Sequence, residues 1–291
     1  MSQLFFSSRT LTTAQVHTAL DALNLPALGV EVVDQQACIE IPEAYTLPKT
    51  AITDTLRPLS RAHHFDFAIL EAEFQASEFK LLTMDMDSTL ITIECIDEIA
   101  DFAGKKKEVS AITEAAMRGE IKDFSESLNR RVALLKGVPE SCLNAVFEER
   151  LRLSPGAEEL IAYAKANKWK TLLVSGGFTF FTDKMKDVLG LDYARSNTLE
   201  IVEGHLTGRV LGTIVDADVK RDTVLETCEI LGCDPSRAIV VGDGSNDLKM
   251  MEIAGASVAF HAKPVVQEKT DFCINHGGLD TICKWFEATI G

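Results

Sequence analysis

The sequence predicts an α/β protein in two parts: a doubly wound, mostly parallel sheet with a helical-bundle cap, preceded by a small α+β module. Three observations predict it. From residue 79 onward, apolar runs of strand length alternate with amphipathic helical stretches, the pattern of strands joined by helical crossovers. Residues 92–153 read as helical almost throughout and exceed what one crossover needs, which marks a cap over the sheet. Ahead of residue 79 the texture differs, with short strands and two helices in quick succession. A chain of 291 residues is long enough for two cores.

The elements follow in order. An apolar start at 4–6 leads to Thr12 and Thr13, a helix start, after which Val16, Leu20, Leu23 and Leu25 recur at near-helical spacing. Residues 29–33 and 37–41 predict a hairpin around Asp34, Gln35 and Gln36. A second helix is predicted over 48–63, with His63 and His64 at its surface end, and a closing strand over 65–73. The order β-α-β-β-α-β is ferredoxin-like, of the ACT-like kind, and assigns residues 1–78 to one module. Such modules often pair or hold amino acids. No residue in it forms a site signature, so packing or a homodimer through this module is the expectation.

In the second part, 79–291, strands are predicted at 81–84, 171–174, 239–241 and 257–260. Residues 199–215, with Gly204, Gly208 and Gly212 between alternating positions, predict a β-hairpin. The tail residues Trp285 and Phe286 read as packing of a final helix.

Bulk properties exclude several classes. The formal net charge of -15 argues against binding nucleic acid or an anionic membrane. It also opposes an anionic substrate, so a phosphate site would need its own local positive charge. Seven scattered cysteines without a C-x-x-C pair read as reduced thiols, several of them core residues, and not as a zinc site. No basic segment followed by an apolar stretch opens the chain, and no run approaches a membrane span, so the expectation is a cytoplasmic protein.

Polar residues sit at three predicted strand ends, all at the carboxyl edge where ligands of open α/β sheets bind. The first carries Asp85 and Asp87, hard oxygen ligands suited to magnesium. Asp85 suits attack on phosphorus, and Asp87 suits proton delivery to a departing alkoxide. Taken alone, an Asp-x-Asp turn is more often a helix cap. The second end offers Ser175, Gly176 and Gly177, a hydroxyl and close-approach backbone for a phosphate. Lys220, in a helix-opening segment, would offset the negative charge, with Arg221 facing elsewhere. The third end, Gly242-Asp243-Gly244-Ser245-Asn246-Asp247, places Asp243 on a metal, Asp247 in support and Asn246 on substrate. An EF-hand fails here for want of its ligand spacing and terminal Glu.

These four segments, in this order, resemble the four motifs of the haloacid dehalogenase superfamily. The resemblance implies Asp85 as nucleophile, Asp87 as acid/base, and Mg²⁺ at Asp85, Asp243 and the backbone carbonyl of Asp87. A Thr at the second position marks superfamily members that hold their aspartyl-phosphate, and Asp87 therefore favours hydrolysis. The cap resembles that of the phosphoserine phosphatases: Glu94 matches the residue that meets the substrate amine. In Ser127-Leu-Asn-Arg-Arg131, Arg131 and not Arg130 matches the residue that grips the carboxylate. Met117 and Phe124 match apolar residues that close over substrate. The implied reaction is hydrolysis of O-phosphoserine, the last step of L-serine synthesis. Two alternatives remain: phosphoryl transfer to an acceptor such as homoserine, and an inactive phosphate- or amino-acid-binding regulator. The resemblance does not extend to the first 78 residues.

Overall fold

The computed structural model describes residues 2–27, 29–42, 45, 47–117, 120–121 and 123–288, without the side chain of Met117. The N-terminal module comprises β1 (Gln3–Ser7), α1 (Thr13–Ala22), β2 (Gln36–Glu40), α2 (Lys49–His63) and β3 (Asp66–Leu70). Its sheet is antiparallel, in the order β2-β1-β3. Thr12 opens α1 through a capping box: Gln15 N–H donates to Thr12 Oγ1 at 3.3 Å, and Thr12 N–H to Gln15 Oε1 at 2.7 Å. Pro58 is tolerated inside α2 because it stands on the solvent side, away from Ile52 and Leu56. Along β1 the pleat divides the apolar residues. Leu4 and Phe6 pack on α1 and α2, while Phe5, with Ala68 and Leu70 of β3, packs into the larger core.

The strand predicted at 29–33 does not form. Only an isolated bridge joins Val33 to Gln36, across a turn with left-handed Asp34 and Gln35. This segment adjoins β2 at the outer edge, where a strand has one neighbour to bond, and only Val30 and Val32 pack partly on the module's core. Val33 is accordingly 61% exposed. The module is thus β-α-β-α-β, a ferredoxin-like order short of one edge strand.

The second part contains β4 (Leu81–Met84), then the helices α3 (Cys95–Phe102), α4 (Lys106–Met117), α5 (Phe124–Ala133), α6 (Ser141–Ala145) and α7 (Ala157–Ala166). It continues with β5 (Lys170–Phe178), α8 (Thr179–Leu189), β6 (Tyr193–Val202), β7 (His205–Leu211) and α9 (Ala217–Leu231). The chain closes with β8 (Ala238–Gly242), α10 (Leu248–Glu252), β9 (Ala256–Phe260), α11 (Pro264–Gln267), β10 (Phe272–Ile274) and α12 (Thr281–Ala288). Seven strands form one sheet in the order β10-β9-β8-β4-β5-β6-β7, parallel except for β7.

Burial on both faces explains the unbroken apolar runs of the central strands. Leu82, Leu173, Ile239 and Val241 face α7, α8 and α12, whereas Leu81, Leu172, Val174 and Val240 face α9, α10 and α11. The predicted hairpin is β6 and β7, turning at Glu203 and Gly204, both with positive φ. Its first strand begins earlier than predicted and joins the main sheet beside β5. Strand β10 is an addition: three residues are too few for a periodic signal.

Helices α3 to α6 form the cap. Its stem is zipped by a bridge between Ile91 and Leu153, with Thr92 N–H donating to Arg152 O at 2.9 Å and Ser154 N–H to Leu90 O at 2.9 Å. The N-terminal module is tied to the far end of the sheet. Buried Asp66 accepts the N–H groups of Asn275 (2.7 Å), His276 (3.0 Å) and Gly277 (2.7 Å).

Candidate active site

Parallel pairing of β8, β4 and β5 puts three strand ends side by side. Asp85 leaves β4 with its N–H still bonded to Val241 O at 3.0 Å, and its own Oδ1 accepts Met86 N–H at 2.7 Å. The next turn is wide: Leu90 N–H donates to Asp85 O and Ile91 N–H to Met86 O, i to i+5. Ser88, at φ 56, turns the chain back so that its hydroxyl donates to Glu94 Oε1 at 2.7 Å. Asp87 Oδ1 accepts the N–H of Cys95, at the start of the first cap helix, at 2.9 Å. The acid is thereby held where sheet and cap meet.

Lys220 is fully buried, its Nζ 2.9 Å from Asp85 Oδ1 and 2.8 Å from Asp247 Oδ1. A buried ammonium is tolerable only when paired, and here two carboxylates share it. Asp247 spends its other oxygen on Gly244 N–H at 3.0 Å. Carboxylate oxygens of Asp85, Asp243 and Asp247 all lie within 4.8 Å of one another, a grouping of hard donors that suits a divalent cation. Thr89 donates to Asp243 Oδ1 at 3.2 Å.

Crowding shifts these groups. Burial, then Asp247, raises the Asp85 carboxyl well above its ordinary range, while Lys220 pulls it down. Burial, then Asp247, pushes Asp243 up to about 7. Burial, then Glu94, pushes Asp87 up to about 7. Burial lowers Lys220, but Asp247 and Asp85 outweigh it and the group is raised overall. The lysine is therefore charged throughout.

Residues Ser175 to Gly177 continue β5 as extended backbone, and α8 starts only at Thr179. Ser175 Oγ accepts Gly177 N–H at 2.8 Å. Buried Asn197 holds Gly176 from behind, donating to its carbonyl at 2.8 Å and accepting Val215 N–H at 2.8 Å. Both glycines stand where a side chain would press on neighbouring side chains. A Cβ on Gly176 would meet Phe124 Cζ at 2.9 Å, and one on Gly177 would meet Asp87 Oδ2 at 2.6 Å.

A cavity of ≈ 500 Å³ gathers this set. Asp85, Asp87, Ser175, Gly176, Asp243 and Asn246 line its floor, and Glu94, Phe124 and Arg131 its cap side. Arg130 instead pairs with Glu126 on the outer face at 2.5 Å. Burial, opposed by Glu94 and Asp97, lowers the Arg131 pKa; burial also raises Glu94, against its bond from Ser88. Arg221 is turned outward to Asp218 and Asp222. The predicted contact from Met117 lies outside the described residues.

Several lining or supporting residues escaped the motif reading. Asn197 carries no motif and acts only through contacts, while Thr89 ends the first motif, 85–89, with no role assigned to it there. Asp97 follows Glu94 by three positions, one helical turn, and that spacing could have found it. Lys263 lies beyond the carboxyl end of β9, the fourth strand, so the same strand-end rule extends to it.

The sequence profile of the haloacid dehalogenase-like hydrolases matches residues 79–255. A phosphoserine phosphatase of Polaromonas sp. is 58% identical over 216 residues, 73% of this chain and 92% of that protein. Among solved structures, a haloacid dehalogenase family hydrolase of Salmonella enterica serovar Typhi superposes with TM-score 0.87 at 34% identity, over 99% of each chain. A substrate-bound phosphoserine phosphatase superposes with TM-score 0.67 at 40% identity, over 71% of this chain and 98% of its own.

Proposed function

The chain belongs to the haloacid dehalogenase-like hydrolase family, and we propose that it converts O-phosphoserine to serine and phosphate, the closing step of L-serine synthesis. The carrying observation is one cavity with Asp85 and Asp87 on its floor and Glu94 and Arg131 on its cap. A zwitterionic phosphate monoester needs an anion for its amine, a bidentate cation for its carboxylate and a nucleophile at phosphorus.

In the proposed mechanism, an Asp85 carboxylate oxygen attacks phosphorus and the bond to the serine oxygen breaks, leaving an aspartyl-phosphate. Asp87, which retains a proton to about pH 7, gives it to the leaving alkoxide. Its carboxylate then takes a proton from water, the resulting hydroxide attacks phosphorus, and Asp85 is released with inorganic phosphate. Ser175, Gly176 and Lys220 hold the phosphate oxygens, and Asn246 contacts substrate beside them. Phe124, against Gly176, excludes water.

Asp85 and Asp243 would hold the metal, with the Asp87 carbonyl completing the protein ligands. Asp247, both of whose oxygens are engaged, supports from behind. Hard carboxylate donors favour Mg²⁺, which when bound supplies positive charge against the phosphate. Residues 1–78 form the separate module of this reading. The face of its sheet carrying Phe5 and Ala68 is already covered, so a homodimer through it would use its helices or the β2 edge. Among the described residues, no helix is long and apolar enough to cross a membrane. On this reading, the enzyme is proposed to work in the cytoplasm, where small-metabolite synthesis takes place.

The test is phosphate release from a panel of phosphomonoesters, with and without Mg²⁺ after EDTA, and with alternative acceptor alcohols. A metal-dependent preference for phosphoserine is expected, with water as acceptor. Arg131→Ala should lower kcat/KM for phosphoserine by about 10²-fold, as loss of a buried bidentate contact does, while sparing p-nitrophenyl phosphate, which has no carboxylate. Equal losses on both substrates would remove Arg131 from the carboxylate site.

A further inference from the structure

Among the described residues, six carboxylates line the cavity: Asp85, Asp87, Glu94, Asp97, Asp123 and Asp243. The chain around them carries a net charge of -15. A phosphate monoester dianion must nevertheless enter. Of the described cations near it, Lys220 is buried beneath the floor and shared by Asp85 and Asp247. Arg131 stands within the fields of Glu94 and Asp97. Lys263 differs from both. Its exposed side chain lines the same cavity, and among the described residues its ammonium has no hydrogen-bond or ion-pair partner.

Its backbone, by contrast, is fixed. His261, at φ 45, turns the chain out of β9, and Lys263 N–H donates to Asp243 O at 3.3 Å, across to the neighbouring strand end. The Lys263 carbonyl accepts the N–H groups of Val266 at 2.9 Å and Gln267 at 3.2 Å, opening α11. Gln267 Nε2 returns to Ala262 O at 2.7 Å and reaches Asn275 Oδ1 at 2.8 Å. Arg57, on α2, donates to Gln267 O at 3.0 Å. A long, free cationic side chain on a braced base is suited to meeting a mobile anion. Its charge is also felt inside: burial raises Glu94, and Lys263 is among the charges that oppose this.

We propose that Lys263 is a substrate-capture residue, whose ammonium meets the phosphate monoester at the cavity mouth and offsets the carboxylates it passes. The proposal rests on the reading of the site as a phosphomonoesterase only for the substrate's charge, not for its identity. A capture role acts before chemistry, so it enters KM and the association rate and leaves kcat alone.

The experiment is steady-state kinetics of the Mg²⁺-loaded enzyme and its Lys263→Ala and Lys263→Arg variants on phosphoserine, at low and at moderate ionic strength. At low salt Lys263→Ala should lose about tenfold in kcat/KM, at the lower end of electrostatic steering effects, through KM. The deficit should shrink as salt shortens the range of the charge. Lys263→Arg should restore most of it. Unchanged kcat/KM for Lys263→Ala at low salt would overturn the proposal. So would a fall in kcat with KM and salt dependence intact. If the parent enzyme prefers another phosphomonoester, the substrate reading fails by itself, and the same series on that ester decides the role of Lys263.

Discussion

Asp85 and Asp87 stand two residues apart with the same functional group, and their neighbours divide the work. Lys220, 2.9 Å from Asp85, pulls that carboxyl down, against burial and Asp247, which leave it raised well above its ordinary range. Asp87 has no such cation at contact distance among the described residues, and burial with Glu94 nearby moves it up to about 7. The sign of the pH effect follows. Below that value Asp87 carries the proton the leaving alkoxide needs, and above it the proton is lost. Hydrolysis of phosphoserine should decline as pH rises through about 7, in steady-state rates at saturating metal. Asp87→Asn should lower kcat by about 10²- to 10⁴-fold, the range for loss of a general acid/base. With p-nitrophenyl phosphate, whose leaving group needs no proton, stopped-flow absorbance should show one burst of nitrophenolate per enzyme and then slow turnover. Absence of a burst would mean that Asp87 serves the first step alone. Asp-x-Asp was visible in the sequence; the elevated acid was not, because it arises from burial and from Glu94.

At the scale of elements, function depends on how strand ends are finished. The extended Ser175 to Gly177 stretch passes so close to Asp87 that a Cβ on Gly177 would lie 2.6 Å from Oδ2. No positive φ is recorded at Gly177, so Gly177→Ala adds bulk without backbone strain. It should displace the acid and lower kcat by about 10²-fold, as a misplacement near 1 Å does, with Tm little changed. A large Tm loss with kcat intact would show that the glycine serves packing instead. Strand ends were legible because central strands, buried on both faces, read as continuous apolar runs. Edge elements were not. The segment at 29–33 lies at the edge of the small sheet with only Val30 and Val32 partly packed, and β10, at the edge of the large sheet, is three residues long.

For the molecule as a whole, one buried carboxylate joins its two parts. Asp66 accepts the N–H groups of residues Asn275, His276 and Gly277, and Gly277 O contacts His261 Nε2 at 3.0 Å, next to the loop bearing Lys263. Asp66→Ala would leave those donors unpaired and should cost about 3 kcal/mol, within the range for losing charged-group bonds. Thermal unfolding should show a Tm lower by several degrees, and KM for phosphoserine should rise because the loop loses its brace. Loss of stability with KM unchanged would confine Asp66 to holding the module in place.

The sequence by itself determined the class of chemistry, since motif order, residue types and strand-end placement are local properties of the chain. Asp85, Asp87, Ser175, Lys220, Asp243 and Asp247 could all be named without coordinates. It also supplied the periodicities that mark helices and buried strands. Only the tertiary structure decided how the N-terminal sheet shares its second face with the larger core, and that Lys263 lines the cavity without a side-chain partner among the described residues. These depend on distances between residues remote in sequence. Burial, shared hydrogen bonds and unpaired charge are properties of neighbours in space, and a chain read in order does not contain them.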